Sequence, residues 1–202
     1  MPSTIGTNKP ILTWWDIPGG GRGEAIRLLF AEAEIEYVDN RFNKAEKDWE
    51  STKAELIKSN KNPYGALPLL EIDGKTYTQH IPILRYLAKR IGKYGGLNVE
   101  EEYKLDQFTD VITDWRFSFR SHPETIPRFY NTFENLLAGP FVLGEDFTYA
   151  DTLLYQALFD GKSLGDEEAL AEYPRLTKFV EAFEARPRIK AYLAERKQKF
   201  GA

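Results

Sequence analysis

The dipeptide Asp73-Gly74 limits the possible fold more than any other feature of this chain. It lies between a short apolar run, Leu67 to Ile72, and a second strand-length segment, Lys75 to Thr78. A type I′ turn needs φ > 0 at both central residues, so Asp-Gly between two such runs predicts a tight β-hairpin. After Thr78 the apolar period changes: Ile81, Leu84, Tyr86, Leu87 and Ile91 fit one helical face. Gln79 and His80 therefore stand where a helix opens, beside backbone N–H groups that lack an intrahelical acceptor. Asn62-Pro63-Tyr64-Gly65, just upstream, is a turn cluster. Pro68 has no N–H for a ladder and belongs at the first position or the edge of a strand. A strand start with free backbone groups, next to a helix N-terminus, can hold an extended ligand carrying a carboxylate. Spacing alone fits an ordinary hairpin and helix equally well.

Upstream, Pro10 to Trp15 reads as a strand, and Asp16 to Gly23 as a loop with three consecutive glycines. A helix over Glu24 to Ala33 follows, with Ile26, Leu29, Phe30 and Ala33 at core spacing. The glycine run lacks the Gly-Lys-Ser/Thr ending of a P-loop, which excludes that reading. It leaves a flexible turn or an anion nest at the helix start. Ile35 to Phe42 reads as a second strand and Trp49 to Lys58 as a weak helix. A β-α-β unit followed by a hairpin and a helix predicts an α/β domain with a mixed sheet.

Gly92 to Leu97 has linker composition, and beyond it no comparable strand pattern occurs. Helices are expected over Asn98 to Ser121, Ile126 to Leu137, from Thr148 through Leu158, Tyr173 to Ala185 and Pro187 to Lys197. Leu105, Phe108, Ile112, Trp115 and Phe119 form a core stripe on the first. Thr148-Tyr-Ala-Asp151 has the form of a capping box. The expected organisation is an α/β domain over 1–91, a linker over 92–98 and an all-helical domain over 99–202. The 202 residues suit two small domains, and 42% hydrophobic content supports a real core. A net charge of −4 without a basic block argues against nucleic acid as a partner. No run of about 18 apolar residues occurs, so no membrane span is expected. The N-terminus lacks a signal-peptide pattern, and a cytoplasmic location is expected. Cysteine is absent and histidine is limited to His80 and His122. That excludes disulfides, thiolate or histidine metal sites and a cysteine nucleophile, so no metal is expected.

The central stretch resembles the second half of the glutathione-binding domain of the cytosolic glutathione transferases, above all the sigma class. The family motifs stand here as Tyr64-Gly65-Ala66-Leu67-Pro68, Asp73-Gly74 and Gln79-His80, with His80 in place of the usual serine. In the second half, Phe141-Val-Leu-Gly, Phe147-Thr-Tyr-Ala-Asp151, Tyr173-Pro-Arg-Leu and Arg186-Pro follow the order of the family's helical domain. The resemblance implies a thioredoxin-like first domain, glutathione as substrate, a small hydrophobic electrophile as its acceptor, and a homodimer. It implies that Trp49 and Lys53 hold the glycyl end of glutathione. The backbone of Leu67 would pair with the cysteinyl part, with Ala66 and Pro68 on either side also in the glutathione-binding set. Gln79 and a partner's Asp110 would meet the γ-glutamyl end, His80 would be a further glutathione-binding residue in the place of the family's serine, and Tyr64 would be the aromatic lock of the dimer. Trp14 takes the place of the family's catalytic tyrosine, with Arg22 close by; Trp15 is the other register. The expected function is conjugation of the glutathione thiol to electrophiles, weakened by loss of the tyrosine. The alternatives are a non-catalytic protein of this fold and a glutathione-dependent isomerase. The region Phe117 to Ile126, which walls the electrophile pocket in relatives, is shorter than usual.

Overall fold

Asp73 and Gly74 have φ of 49° and 76°, and Ile72 faces Lys75 across a two-residue loop. The Asp-Gly turn thus takes the left-handed conformation at both positions. The hairpin belongs to a computed structural model that describes residues 5–18, 20–118, 121–162 and 170–200. Its strands, β3 (Leu69–Ile72) and β4 (Lys75–Thr78), complete a sheet with β1 (Ile11–Trp15) and β2 (Val38–Phe42) in the order β2-β1-β3-β4. β1 runs parallel to β2 and antiparallel to β3, the mixed sheet expected from the element order. The Leu67–Pro68 peptide, just before β3, is cis.

Helix α1 (Gly21–Glu32) crosses from β1 to β2 and packs against α3 (His80–Ile91). It begins at Gly21, earlier than the expected Glu24, so the last residue of the glycine run is helical. It ends with Glu34 at φ 53°, while the N–H groups of Glu34 and Ile35 return to the carbonyls of Ala31 and Phe30. That pairing is a Schellman cap, and it corrects the expected strand over Ile35 to Phe42. Ile35 closes the helix as a buried apolar residue, so β2 can start only at Val38. Helix α2 (Trp49–Lys58) is capped by the Asp48 carboxylate, which accepts from Glu50 N and Ser51 N at 3.3 and 3.0 Å. A cap of this kind contributes about 1 kcal/mol. The helix needs it, since none of its residues is fully buried.

The described chain divides between Ile91 and Gly92 into two units, each with its own core. The second contains α4 (Val99–Ser118), a short 3₁₀ turn (Pro123–Thr125), α5 (Ile126–Leu136), α6 (Tyr149–Lys162), α7 (Pro174–Ala185) and α8 (Pro187–Phe200). Leu105, Phe108, Ile112 and Trp115 form the buried stripe of α4; Phe119 lies outside the described residues. No helix of the described residues is long and apolar enough to cross a membrane.

The Thr148–Asp151 start of α6 is more tightly built than a capping box. Asp151 is fully buried and accepts from Thr148 N at 2.6 Å, Thr148 Oγ1 at 2.8 Å and Val142 N at 2.8 Å. The Thr148 hydroxyl therefore donates to the carboxylate instead of accepting the helix N–H. Burial raises the carboxyl pKa to about 6, against the pull of its donors and of Arg186.

Candidate functional site

Strand β1 alternates, and its last two residues serve opposite sides of the sheet. Trp14 turns toward α1, where its ring lies so close to Gly23 that a Cβ there would sit 2.6 Å from Cδ1. Trp15 turns toward α2 and packs edge-on against Trp49 at 4.7 Å and Phe42 at 5.4 Å. Lys44 sits over Trp15 at 4.6 Å. Trp14 is buried with Phe42, Leu67 and Leu69, and its indole N–H donates to the Gly20 carbonyl. Indole has a single donor, so in this arrangement Trp14 offers no N–H to a ligand. The Thr13 hydroxyl is likewise engaged, accepting from Asn40 Nδ2 at 2.9 Å.

The turn before β3 is fixed by Asn62, which is fully buried. Its side chain accepts from Gly65 N at 3.1 Å and donates to the Ala66 carbonyl. The sequence marked Asn62 only as a turn residue; that it braces the turn depends on burial, which composition does not reveal. This bracket engages the Ala66 carbonyl and raises Tyr64 to 69% exposure. The Leu67 side chain points into the Trp14 cluster. Among the described residues, neither the N–H nor the C=O of Leu67 bonds to another backbone group. The result is a short, open backbone edge of the kind an extended peptide can join.

Cations and a helix start frame this edge. Trp49 and Lys53 are one helical turn apart on α2, so they share a face. Trp49 packs onto the cluster that contains Leu67, and the Lys53 stem reaches Gly65, where a Cβ would lie 3.1 Å from Lys53 Cγ. The Lys53 ammonium stands 4.0 Å from Glu50, an exposed pair of small energetic worth that leaves it able to turn to an anion. Leu69 pairs with Thr78, so Gln79, one residue beyond the ladder, lies on the Pro68 side of the hairpin. Gln79 is exposed, has φ 68°, and accepts the Ile83 N–H at 3.0 Å as the first carbonyl of α3. Glutamine in a left-handed conformation costs about 1–2 kcal/mol, and such costs concentrate at functional sites. His80 follows, buried in the first turn. Arg22 is half-buried in the first turn of α1, with no hydrogen bond or ion pair among the described residues. Asp110 is exposed on α4 in the second unit.

Residues 10–89 match the family model of the glutathione S-transferase N-terminal domain, and residues 119–196 match that of the C-terminal domain. The chain is 31% identical over 207 residues to glutathione S-transferase 1 of Ascaris suum, covering 92% of this chain and 95% of that protein. It is 31% identical over 192 residues to glutathione S-transferase P 10 of Caenorhabditis elegans, covering 88% of each. The chain belongs to the glutathione S-transferase family. The solved structure of a Pi-class glutathione S-transferase of Onchocerca volvulus superposes with a TM-score of 0.80 at 27% identity, over 95% of both chains.

Within this glutathione S-transferase fold, Arg22, Trp49, Lys53, Leu67, Pro68, Gln79 and His80 all lie in the first unit, with Trp49, Lys53 and Gln79 near the open edge, His80 in the first turn of α3 and Arg22 in the first turn of α1. Two further features were not expected from the sequence: Asn62 braces the turn before the open edge, and Lys44 sits over Trp15. The charged loop Asn43 to Asp48 was the only available sign of Lys44.

Proposed function

We propose that the chain binds glutathione along the open edge at Leu67 and adds its sulfur to small hydrophobic electrophiles. The observation that carries this reading is the unbonded Leu67 backbone beside Lys53 and the left-handed Gln79. A tripeptide with two carboxylates and an amine needs a backbone partner in the middle and polar groups at its ends. The names of the relatives, glutathione S-transferases over nearly the whole chain, support the same activity. A role in detoxification and a cytoplasmic location accord with it.

Thiol activation is the step in which, on the resemblance, this chain departs from the family pattern. A free thiol has a pKa of about 8.5, so only a few per cent is thiolate at neutral pH. Trp14 cannot supply a hydroxyl, and its N–H is engaged by Gly20. Arg22 is the cation of the first turn of α1 and carries a permanent charge. On this reading Arg22→Ala raises the pKa of bound glutathione by about one unit, the size of a lost charge-assisted hydrogen bond. Thiolate absorbance against pH, in the natural protein and the variant, measures this; superimposable curves would exclude the arginine. The test of the whole reading is glutathione binding by calorimetry, paired with conjugation to a generic aryl halide. Binding without conjugation favours a non-catalytic protein of this fold, the reading to which the engaged indole of Trp14 lends weight.

Assembly as a homodimer completes the proposal. Tyr64 is the aromatic that would insert into a partner, its ring exposed at the tip of the Asn62 turn. Asp110 would reach the amine of glutathione bound to the other protomer. Tyr64→Ala lowers dimer stability enough to produce monomer at micromolar concentration, as read by sedimentation. A dimer undisturbed by this change would rule out the lock.

A further inference from the structure

We infer that Trp14 is a positioning residue: it sets the loop between β1 and α1, and through that loop the first turn of α1 that carries Arg22. The inference rests on the function proposed above. It starts from the bond between the buried indole N–H and the Gly20 carbonyl. Gly20 is held from both sides, since its own N–H donates to Ile17 O at 3.2 Å. Gly20 and Gly21 have φ of 74° and 56°, a left-handed passage that delivers the chain directly to Arg22. The indole also occupies the space beneath the new helix. A Cβ at Gly23 would lie 2.7 Å from Trp14 Cβ and 2.6 Å from Cδ1, and one at Gly21 would lie 3.2 Å from Cζ2. Glycine at 23 and the indole at 14 are therefore a matched pair: the ring is as large as the gap permits.

The ends of the loop are fixed independently. Asp16 donates its N–H to Phe42 O at 3.0 Å, and its carboxylate pairs with Arg41 at 3.5 Å. Arg41 meets Asp39 at 2.7 Å, Asp39 meets Arg27 at 3.0 Å, and Arg27 meets Glu24 at 3.1 Å. This chain of charges leads from the start of the loop to Glu24 in the first turn of α1, with Arg27 and Glu24 both buried. A Cβ at Gly20 would lie 2.6 Å from Glu24 Cβ, so the loop rests directly on the end of that chain. With Asp16 and Glu24 held, Gly20 is tied into this frame by Trp14 through its carbonyl and by Ile17 through its N–H. A large aromatic with one donor at its rim can do this; a tyrosine hydroxyl directed at a ligand cannot also hold the carbonyl.

A double-mutant cycle on the pKa of bound glutathione tests the inference. Trp14→Phe keeps an apolar ring but removes the donor. If Trp14 acts through Arg22, Trp14→Phe and Arg22→Ala each raise the thiol pKa, and the double variant rises no further than Arg22→Ala alone. Shifts that add would overturn the inference, because they mean that Trp14 meets the sulfur independently. Gly23→Ala, whose Cβ would run into Trp14 Cγ, forces Trp14 and the start of α1 apart and is expected to reproduce the effect of Trp14→Phe. A Gly23→Ala protein with the natural thiol pKa would count against it. A structural role alone moves stability but not this cycle. A readout without variants at position 14 is the indole N–H of Trp14, assigned in the nitrogen-proton spectrum by Trp→Phe changes at 15, 49 and 115. Slow exchange is expected with and without glutathione; an indole that exchanges freely, or titrates with the bound thiol, would overturn the Gly20 bond as the basis. Failure of the natural protein to bind glutathione by calorimetry defeats the proposed function itself. Binding accompanied by additive shifts defeats only the role of Trp14.

Discussion

Asp151→Ala lowers the unfolding free energy by about 3–5 kcal/mol, the range seen when one partner of a buried, hydrogen-bonded charge is removed. The carboxylate holds Val142 N, Thr148 N and Thr148 Oγ1, which join the 141–144 turn to the start of α6. An alanine leaves all three donors in a dry site, and each orphaned donor costs about 1–3 kcal/mol. Denaturant titration followed by circular dichroism measures the loss; a midpoint unchanged from the natural protein would mean that water satisfies these groups. The same residue imposes a pH dependence. Its folded pKa of about 6 lies above the unfolded value of about 3.9. The folded chain therefore binds the extra proton between those values. This contribution is fully present below about pH 4 and is lost as pH rises through about 6. Asp151→Asn cannot titrate, so its stability should lack that decline whatever its absolute level.

The Lys53→Ala and Gln79→Ala double variant should bind glutathione about 10- to 100-fold more weakly. Each residue would supply a hydrogen bond with charge on at least one side, worth about 1.5–3 kcal/mol before solvent competition. Lys53 is partly exposed, so its share falls toward the low end. Calorimetry gives the ratio directly, and an undiminished affinity would remove both residues from the site. Gln79→Gly separates conformation from contact. Glycine accepts φ 68° at no steric cost, so the variant gains about 1 kcal/mol of stability while losing the side chain proposed to meet the ligand. A stability gain with affinity unchanged would make Gln79 a bystander in a strained turn.

The parts of this protein legible from sequence are those decided by neighbours along the chain. Asp73-Gly74 specifies its hairpin because a two-residue I′ turn demands those φ values whatever packs around it. The weak helix expected over Trp49 to Lys58 forms with those bounds, since its Asp48 cap is local. The stripe Leu105, Phe108, Ile112 and Trp115 is likewise a property of one helix. The resemblance in motif order extended this to the family and to the order of both halves. Misread boundaries occur where a distant or conformational constraint prevails. Ile35 has strand propensity, but the left-handed Glu34 turns it into the closing residue of α1. The glycine at 21 suggests a loop, yet it opens α1 at φ 56°, with the Trp14 indole close beneath it.

The site divides in the same way. The resemblance in motif order nominated Trp49, Lys53, Leu67 and Gln79. Only the tertiary structure decided that Asn62 braces the turn and that the Leu67 backbone stays open. It alone decided that the Trp14 N–H is engaged by Gly20. The physical reason is that a side chain's donors and acceptors are a property of the residue, whereas their availability depends on which groups the folded chain brings within about 3 Å. Trp14 states this most plainly: the sequence identifies a residue with one donor at the critical position, and the fold determines that a backbone carbonyl already holds it.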